Sequence, residues 1–197
     1  LNIRLFRWKQ LLIPVHLQIA DKICFMELSS VISGLPHSVI MLERNEYLKV
    51  KGSADTNIYF IESGSLRAFV LDDCEEQIIR FGYTGNIIVS LDSFLTERPS
   101  DFYIQAIKKC ELKVITKRDF KLFLDRDKSH QSWWISVLEE LVLQQMEREV
   151  DILTTSPKER YNRILKRSPR LFQEIPNRYI ANYLRMSPET LSRLKKS

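Results

Sequence analysis

The sequence predicts an α+β fold: an antiparallel β-roll of the jelly-roll type, then one long helix, then a C-terminal helix-turn-helix unit. Three observations carry that expectation. Residues 40–117 are dense in β-branched and aromatic residues separated by turn signals, residues 119–153 contain neither Gly nor Pro, and all the excess positive charge lies in residues 156–197. The divisions that follow are a roll with an N-terminal helical segment (1–127), a long helix and hinge (128–155) and a helix-turn-helix domain (156–197).

Composition narrows the classes first. A chain of 197 residues that is 44% hydrophobic can bury one good core and a small second one, and its 5 Gly and 7 Pro leave little for disordered linkers. Near the start, Arg4, Arg7 and Lys9 precede an apolar run to Ala20 that imitates a secretory leader, but Pro14, His16 and Gln18 interrupt it. No apolar stretch reaches 18 residues, so no membrane span is expected. Cys24, Cys74 and Cys110 are odd in number and widely spaced, which suits free thiols in a reducing cytoplasm and argues against a zinc or iron–sulfur frame.

The roll comes from IMLERNEYLKV, NIYFIESGSLRAFVL, EQIIRFGYTGNIIVSL, FYIQAI and ELKVIT, with breaks expected at Gly52, Ser63-Gly64, Asp72-Asp73 and Gly85. The stretch from Asp119 to Leu153 reads as one helix with two apolar stripes. Trp134, Leu138, Leu141, Gln145 and Ile152 fit a seam of alternating four- and three-residue steps, the expected contact with a second copy in a two-fold homodimer. Ile135, Leu138, Val142, Met146 and Leu153 make the other stripe, assigned to the roll. Gln145 and Arg148 interrupt the seam, and the alternative is a helix buried wholly within its own chain.

Ser156-Pro157-Lys158-Glu159 is a capping box with Pro at the first helical position, so a new helix starts there and Thr154-Thr155 is the expected hinge. In IPNRYIANYLRMSPETLSRLKK, Ile180, Ala181, Leu184, Met186, Leu191 and Leu194 are spaced to pack two helices across a tight turn near Arg185-Met186. The charge supports a nucleic-acid partner: residues 156–197 hold eleven basic and three acidic residues, a balance of +8, whereas residues 1–125 are neutral. On the last helix Arg193 can pair bidentately with guanine and Glu189 can accept from a cytosine amino group. Ser187, Thr190 and Ser192 suit phosphate or base edges, and Lys195, Lys196, Arg178 and Arg185 suit phosphate neutralisation. Arg185 falls where such turns commonly hold Gly in the left-handed region.

This order of roll, long helix and helix-turn-helix resembles the Crp/Fnr transcription regulators, from about Glu43 onward. NIYFIESGSLRAF is similar to the family's roll hairpin, FGYTGNII to the approach to its ligand cassette, and ETLSR (189–193) to the Fnr-type recognition motif, although Pro188 stands where the family often has Arg. The resemblance implies a cytoplasmic homodimer reading an inverted repeat in double-stranded DNA, with RNA polymerase as a further candidate partner. In that family a cyclic nucleotide is held by a Gly-Glu and an Arg-Ser pair. Here Val89-Ser90 and Ser100-Asp101 stand at those places, with Arg98 the nearest cation, so a small-molecule effector is unknown or lost. No cofactor, metal site or catalytic set is expected, since His16, His37 and His130 all lie outside the core strands. The rival reading is a roll-fold sensor or scaffold acting through protein partners, its last helices only a packing module.

Overall fold

The computed structural model describes Ile32 and residues 34–196. The expected N-terminal helical segment, with His16 and Cys24, lies outside the described residues.

Eight strands form two four-stranded antiparallel sheets: β1 (Ser38–Leu42), β2 (Tyr47–Lys49), β3 (Ile58–Ser63), β4 (Ser65–Asp72), β5 (Glu75–Tyr83), β6 (Ile87–Ile88), β7 (Tyr103–Ala106) and β8 (Cys110–Ile115). One sheet has the order β1-β8-β3-β6 and the other β2-β7-β4-β5. Their inner faces bury Ile61, Leu66, Ile104, Cys110 and Leu112 between them. Every expected break falls at a turn. Gly64 (φ +96°) is held to Gly twice over, because a Cβ there would lie 2.3 Å from the Lys109 carbonyl oxygen. Asp73 and Cys74 both take positive φ between β4 and β5, the two-residue hairpin whose twist matches its strands.

After β6 the chain leaves the expected strand pattern: Leu91–Thr96 is helix α1, and Ser90 precedes it. The helix expected from Asp119 to Leu153 is two, α2 (Lys117–Arg126) and α3 (Lys128–Leu153). Asp127 breaks it by adopting extended backbone (φ −152°) and accepting from the Ser129 N–H at 2.6 Å, so an internal acid acts as a new N-cap. His130 closes the corner, its Nδ1 donating to the Phe123 carbonyl at 2.8 Å and its ring stacked on Phe123 at 3.9 Å.

Trp134 overturns the expected division of the long helix. It packs edge-on against Phe120 (4.9 Å) and Phe94 (6.2 Å) of its own chain, within the cluster that also buries Ile58, Ile115 and Phe123. Lower on the same side, Arg148 and Asp151 are buried. The stripe assigned to the roll is the one left open: Ile135, Val142, Met146 and Leu153 are 55%, 59%, 57% and 81% exposed. At about 100° per residue these four lie on one line, and Trp134 sits about 100° away. Of the other expected seam residues, Leu138 and Leu141 are half-buried, Gln145 is exposed and Ile152 flanks the open stripe. Two tryptophans at 133 and 134 have more area to bury than any aliphatic on the helix, and they decide which side meets the roll.

Candidate nucleic-acid interface

Four helices follow the hinge: α4 (Pro157–Arg167), α5 (Leu171–Glu174), α6 (Asn177–Tyr183) and α7 (Pro188–Lys196). Ser156 caps α4, its hydroxyl accepting from the Glu159 N–H at 3.3 Å. Ile180, Ala181, Leu184 and Leu191 are fully buried between α6 and α7. With no side chain beyond Cβ, Ala181 lets the two helices close.

Arg185 takes the left-handed conformation at φ +55°. The Met186 N–H donates to the Ala181 carbonyl and the Arg185 N–H to the Asn182 carbonyl, each at 3.0 Å, which together form a Schellman ending for α6. Strain of about 1 kcal/mol for a non-Gly residue is therefore borne, and the turn keeps its form. Arg160 holds the far side of this turn. Its guanidinium donates to the carbonyls of Leu184 (2.9 Å) and Arg185 (3.1 Å), and also to those of Thr154 (2.6 Å) and Thr155 (3.0 Å). One buried side chain thus ties the hinge to the turn that sets the angle of α7.

On α7, Glu189, Ser192, Arg193 and Lys196 are exposed together and Thr190 is half-buried. The Ser187 hydroxyl accepts from the Thr190 N–H at 3.2 Å and opens the helix, with Pro188 in its first turn. The Glu189 backbone N–H and the Ser187 hydroxyl hold the Glu189 carboxyl below the usual carboxylate range, so it is an acceptor at neutral pH. Arg193 Nη2 donates to Thr190 Oγ1 at 3.4 Å, and among the described residues no ion pair joins it to Glu189. Two expected contacts stand apart. Lys195 donates to Asn177 Oδ1 at 3.0 Å, and Arg178 turns to a cavity against the roll.

The domain docks on its own roll through α6. The Asn182 side chain donates to the Glu76 carbonyl (2.7 Å) and accepts from the Ile78 N–H (2.9 Å), bonding to β5 as a neighbouring strand would. Arg148 stacks on Tyr183 at 3.7 Å and donates to the Ile78 carbonyl at 3.3 Å. Asp151, fully buried, accepts from Arg163 Nε (2.8 Å) and from Arg167, and Glu147 accepts from the same two arginines. Sequence reading missed Arg160, Asp151 and Asn182. The Arg163–Arg167 pair opposite an acid at the end of α3 was a usable signal for Asp151; nothing local marks Asn182.

At the expected ligand cassette, Ser90 and Ser100 are buried, and the Ser90 hydroxyl has no hydrogen-bond partner among the described residues. Ser100 Oγ accepts from the Phe102 N–H at 3.1 Å, and its backbone pairs with Gly52 and Ser53. Asp101 points to solvent and pairs with Lys51 at 3.1 Å. The Arg98 side chain is exposed, while its carbonyl accepts from Ser93 Oγ at 2.6 Å. Among the described residues no His, Cys, Asp and Glu cluster suits a metal ion, and no helix is long and apolar enough to cross a membrane.

Residues 39–127 match the cyclic nucleotide-binding domain family. The sequence matches no curated protein. Among solved structures, FixK2 from Bradyrhizobium japonicum shares the fold at a TM-score of 0.69 and 19% identity over 82% of this chain and 84% of its own. The Thermus thermophilus catabolite activator protein does so at 0.53 and 20%, over 87% and 81%. The c-di-GMP responsive global regulator CLP of Xanthomonas campestris does so at 0.60 and 13%, over 86% and 88%.

Proposed function

Because residues 39–127 match the cyclic nucleotide-binding domain family and more than four-fifths of the chain shares the fold of FixK2 and of a catabolite activator protein, we propose that this protein is a transcription regulator of the Crp/Fnr type, binding an inverted repeat in DNA as a homodimer. The observation that carries the reading is the Schellman turn at Arg185, which seats α7 on α6 while Glu189, Ser192, Arg193 and Lys196 stay exposed on one basic helix. A helix so presented fits the major groove, with Arg193 on guanine and Glu189 on cytosine, and the two-fold axis sets the half-sites about one helical turn apart. Lys196 and Arg185 contribute phosphate contacts.

Site selection from a random duplex pool, followed by titration of the selected site, tests this. Arg193→Ala weakens binding by about 1–3 kcal/mol per half-site and relaxes preference at one base pair. A variant as tight and as selective as the parent would remove Arg193 as a base reader. A chain that selects no duplex at all would favour the scaffold reading.

Cyclic AMP is not the switch. A buried cyclic phosphate needs a cation or several aligned donors, but the cassette offers two buried serines, an Asp101 turned outward to Lys51 and an Arg98 at the surface. Losing a charge-assisted partner of that kind is worth about 2–5 kcal/mol, enough to carry a micromolar site towards or beyond millimolar. Millimolar cyclic AMP then leaves DNA affinity unchanged; saturable calorimetric heat together with a tenfold gain in DNA affinity would reverse this statement.

A further inference from the structure

We propose that the cleft between the roll and the helix-turn-helix domain is a binding site for a free small molecule bearing phosphate. One cavity there, about 380 Å³, is built by three separate stretches: Arg44 from the β1–β2 turn, Ile107, Lys108 and Lys109 from the β7–β8 turn, and Pro176, Arg178 and Tyr179 from the start of α6. That volume lies within the range of small-molecule sites.

The cleft is undercompensated in charge. Of its four cations, Lys109 is answered by Glu43 at 2.5 Å and Lys108 by Glu174 at 3.5 Å. Arg44 and Arg178 have no carboxylate within ion-pair distance among the described residues, so two positive charges, one from each domain, are left for an anion. Arg178 is already oriented: its guanidinium lies over the Tyr179 ring at 4.4 Å, and Nη2 donates to the Tyr179 hydroxyl at 2.6 Å. Holding that fork still before a ligand arrives removes much of the rotamer entropy that binding would otherwise cost.

A second observation comes from the other side of the same tyrosine-arginine pair. An adjoining cavity of about 310 Å³ also uses Arg178 and Tyr179, and adds Arg67, Glu76, Ile78 and Asn182. Arg67 is 5% exposed, its guanidinium 4.6 Å from the Tyr179 ring, and its Nε has no hydrogen-bond partner among the described residues. Glu76 is occupied by Arg67, so the carboxylate repels an anion less than its position suggests. Phosphate therefore belongs on the Arg44–Arg178 side, where guanidinium forks match its oxygens, and Ile107 and Pro176 supply apolar wall for an organic body. Because one wall is roll and the other is α6, such a ligand ties the sensor to the DNA-binding domain.

Inorganic pyrophosphate is the probe, titrated calorimetrically into the full chain without DNA. Saturable heat with a dissociation constant below about 1 mM is expected, corresponding to more than about 4 kcal/mol. Arg44→Gln and Arg178→Gln each weaken it at least tenfold, and Arg44→Lys recovers part of the loss. Lys121→Gln, an equal charge change on α2, has no effect. Both arginines are exposed, and circular dichroism checks that the variants fold. Absence of saturable heat, or parental affinity in both glutamine variants, would overturn the proposal. So would the pattern in which pyrophosphate does not bind but Arg44→Gln weakens a long duplex and not a minimal one, since the cleft would then hold DNA backbone. The titration is independent of DNA recognition: pyrophosphate bound here by a chain that selects no duplex would sink the regulator reading and leave the site standing.

Discussion

Replacing Val142 and Met146 with aspartate should split the proposed dimer while leaving each subunit folded. Full burial of an aliphatic or Met side chain contributes about 1.5–3 kcal/mol, and Ile135, Val142, Met146 and Leu153 have each realised half of that or less in a single chain. A two-fold axis along the stripe would bury what remains exposed of all four twice, for a further ~8–15 kcal/mol. Association costs about 4–15 kcal/mol, so the stripe, with Leu143 and Val150 beside it, is enough for a dimer but with little surplus. Two carboxylates facing their own copies across the seam remove the apolar gain and add like-charge repulsion, each worth several kcal/mol. A loss of only ~4 kcal/mol raises the dissociation constant about a thousandfold. Sedimentation at micromolar concentration should find a dimer for the parent and a monomer for Val142→Asp/Met146→Asp, with specific DNA affinity falling in step. Trp134→Ala is the contrast: it opens a cavity beside Phe120 and lowers stability by ~3–5 kcal/mol without separating the subunits. A double-aspartate variant that sediments as the parent does, or a Trp134→Ala protein that turns monomeric while still folded, would refute this assignment of faces.

Two further outcomes are expected. Asp151→Asn leaves Arg163 and Arg167 facing a neutral amide in a buried place; it should lower unfolding free energy by about 3–5 kcal/mol, read as a shift of the urea midpoint. Arg185→Gly should raise the melting temperature, through relief of about 1 kcal/mol of left-handed strain, while weakening DNA by the loss of one phosphate contact; a lower melting temperature would mean that the Arg185 side chain contributes more than its backbone costs.

The fold was legible where local chemistry and tertiary packing agree. Gly52, Gly64 and Gly85 all sit at positive φ, where the turn readings put them, and the Ser156 cap and the Ile180–Leu191 spacing needed nothing from the rest of the molecule. Asp127 was harder, because an Asp in a run without Gly or Pro is tolerated inside a helix. Only the corner made by Phe123 and His130 turns it into a cap. The faces of α3 were misread for a related reason: periodicity finds stripes but does not say which neighbour each stripe meets. Arg148 looked like a flaw in a dimer seam, whereas it is buried against Tyr183 and against Ile78 of β5, the latter 70 residues away in sequence. The site divides similarly. The α7 residues come as one exposed set because a single helix carries them, but Arg178 joins Arg44 and Lys109 only through the docking of two domains.

That docking bears on how such a molecule can be regulated. The hinge at Thr154-Thr155 looks like a free joint in sequence, yet four carbonyls, two from the hinge and two from the turn before α7, converge on Arg160. Rotation at the hinge cannot leave the turn behind without breaking hydrogen bonds to a buried cation, each worth about 1.5–3 kcal/mol. The left-handed residue at 185 belongs to the same device, since the turn it completes lets the Leu184 and Arg185 carbonyls reach one guanidinium. The hinge and α7 therefore move as one piece. Any signal that reorients α7 must act outside that piece, at the seam where Asn182 is bonded to β5 and Arg178 faces the roll.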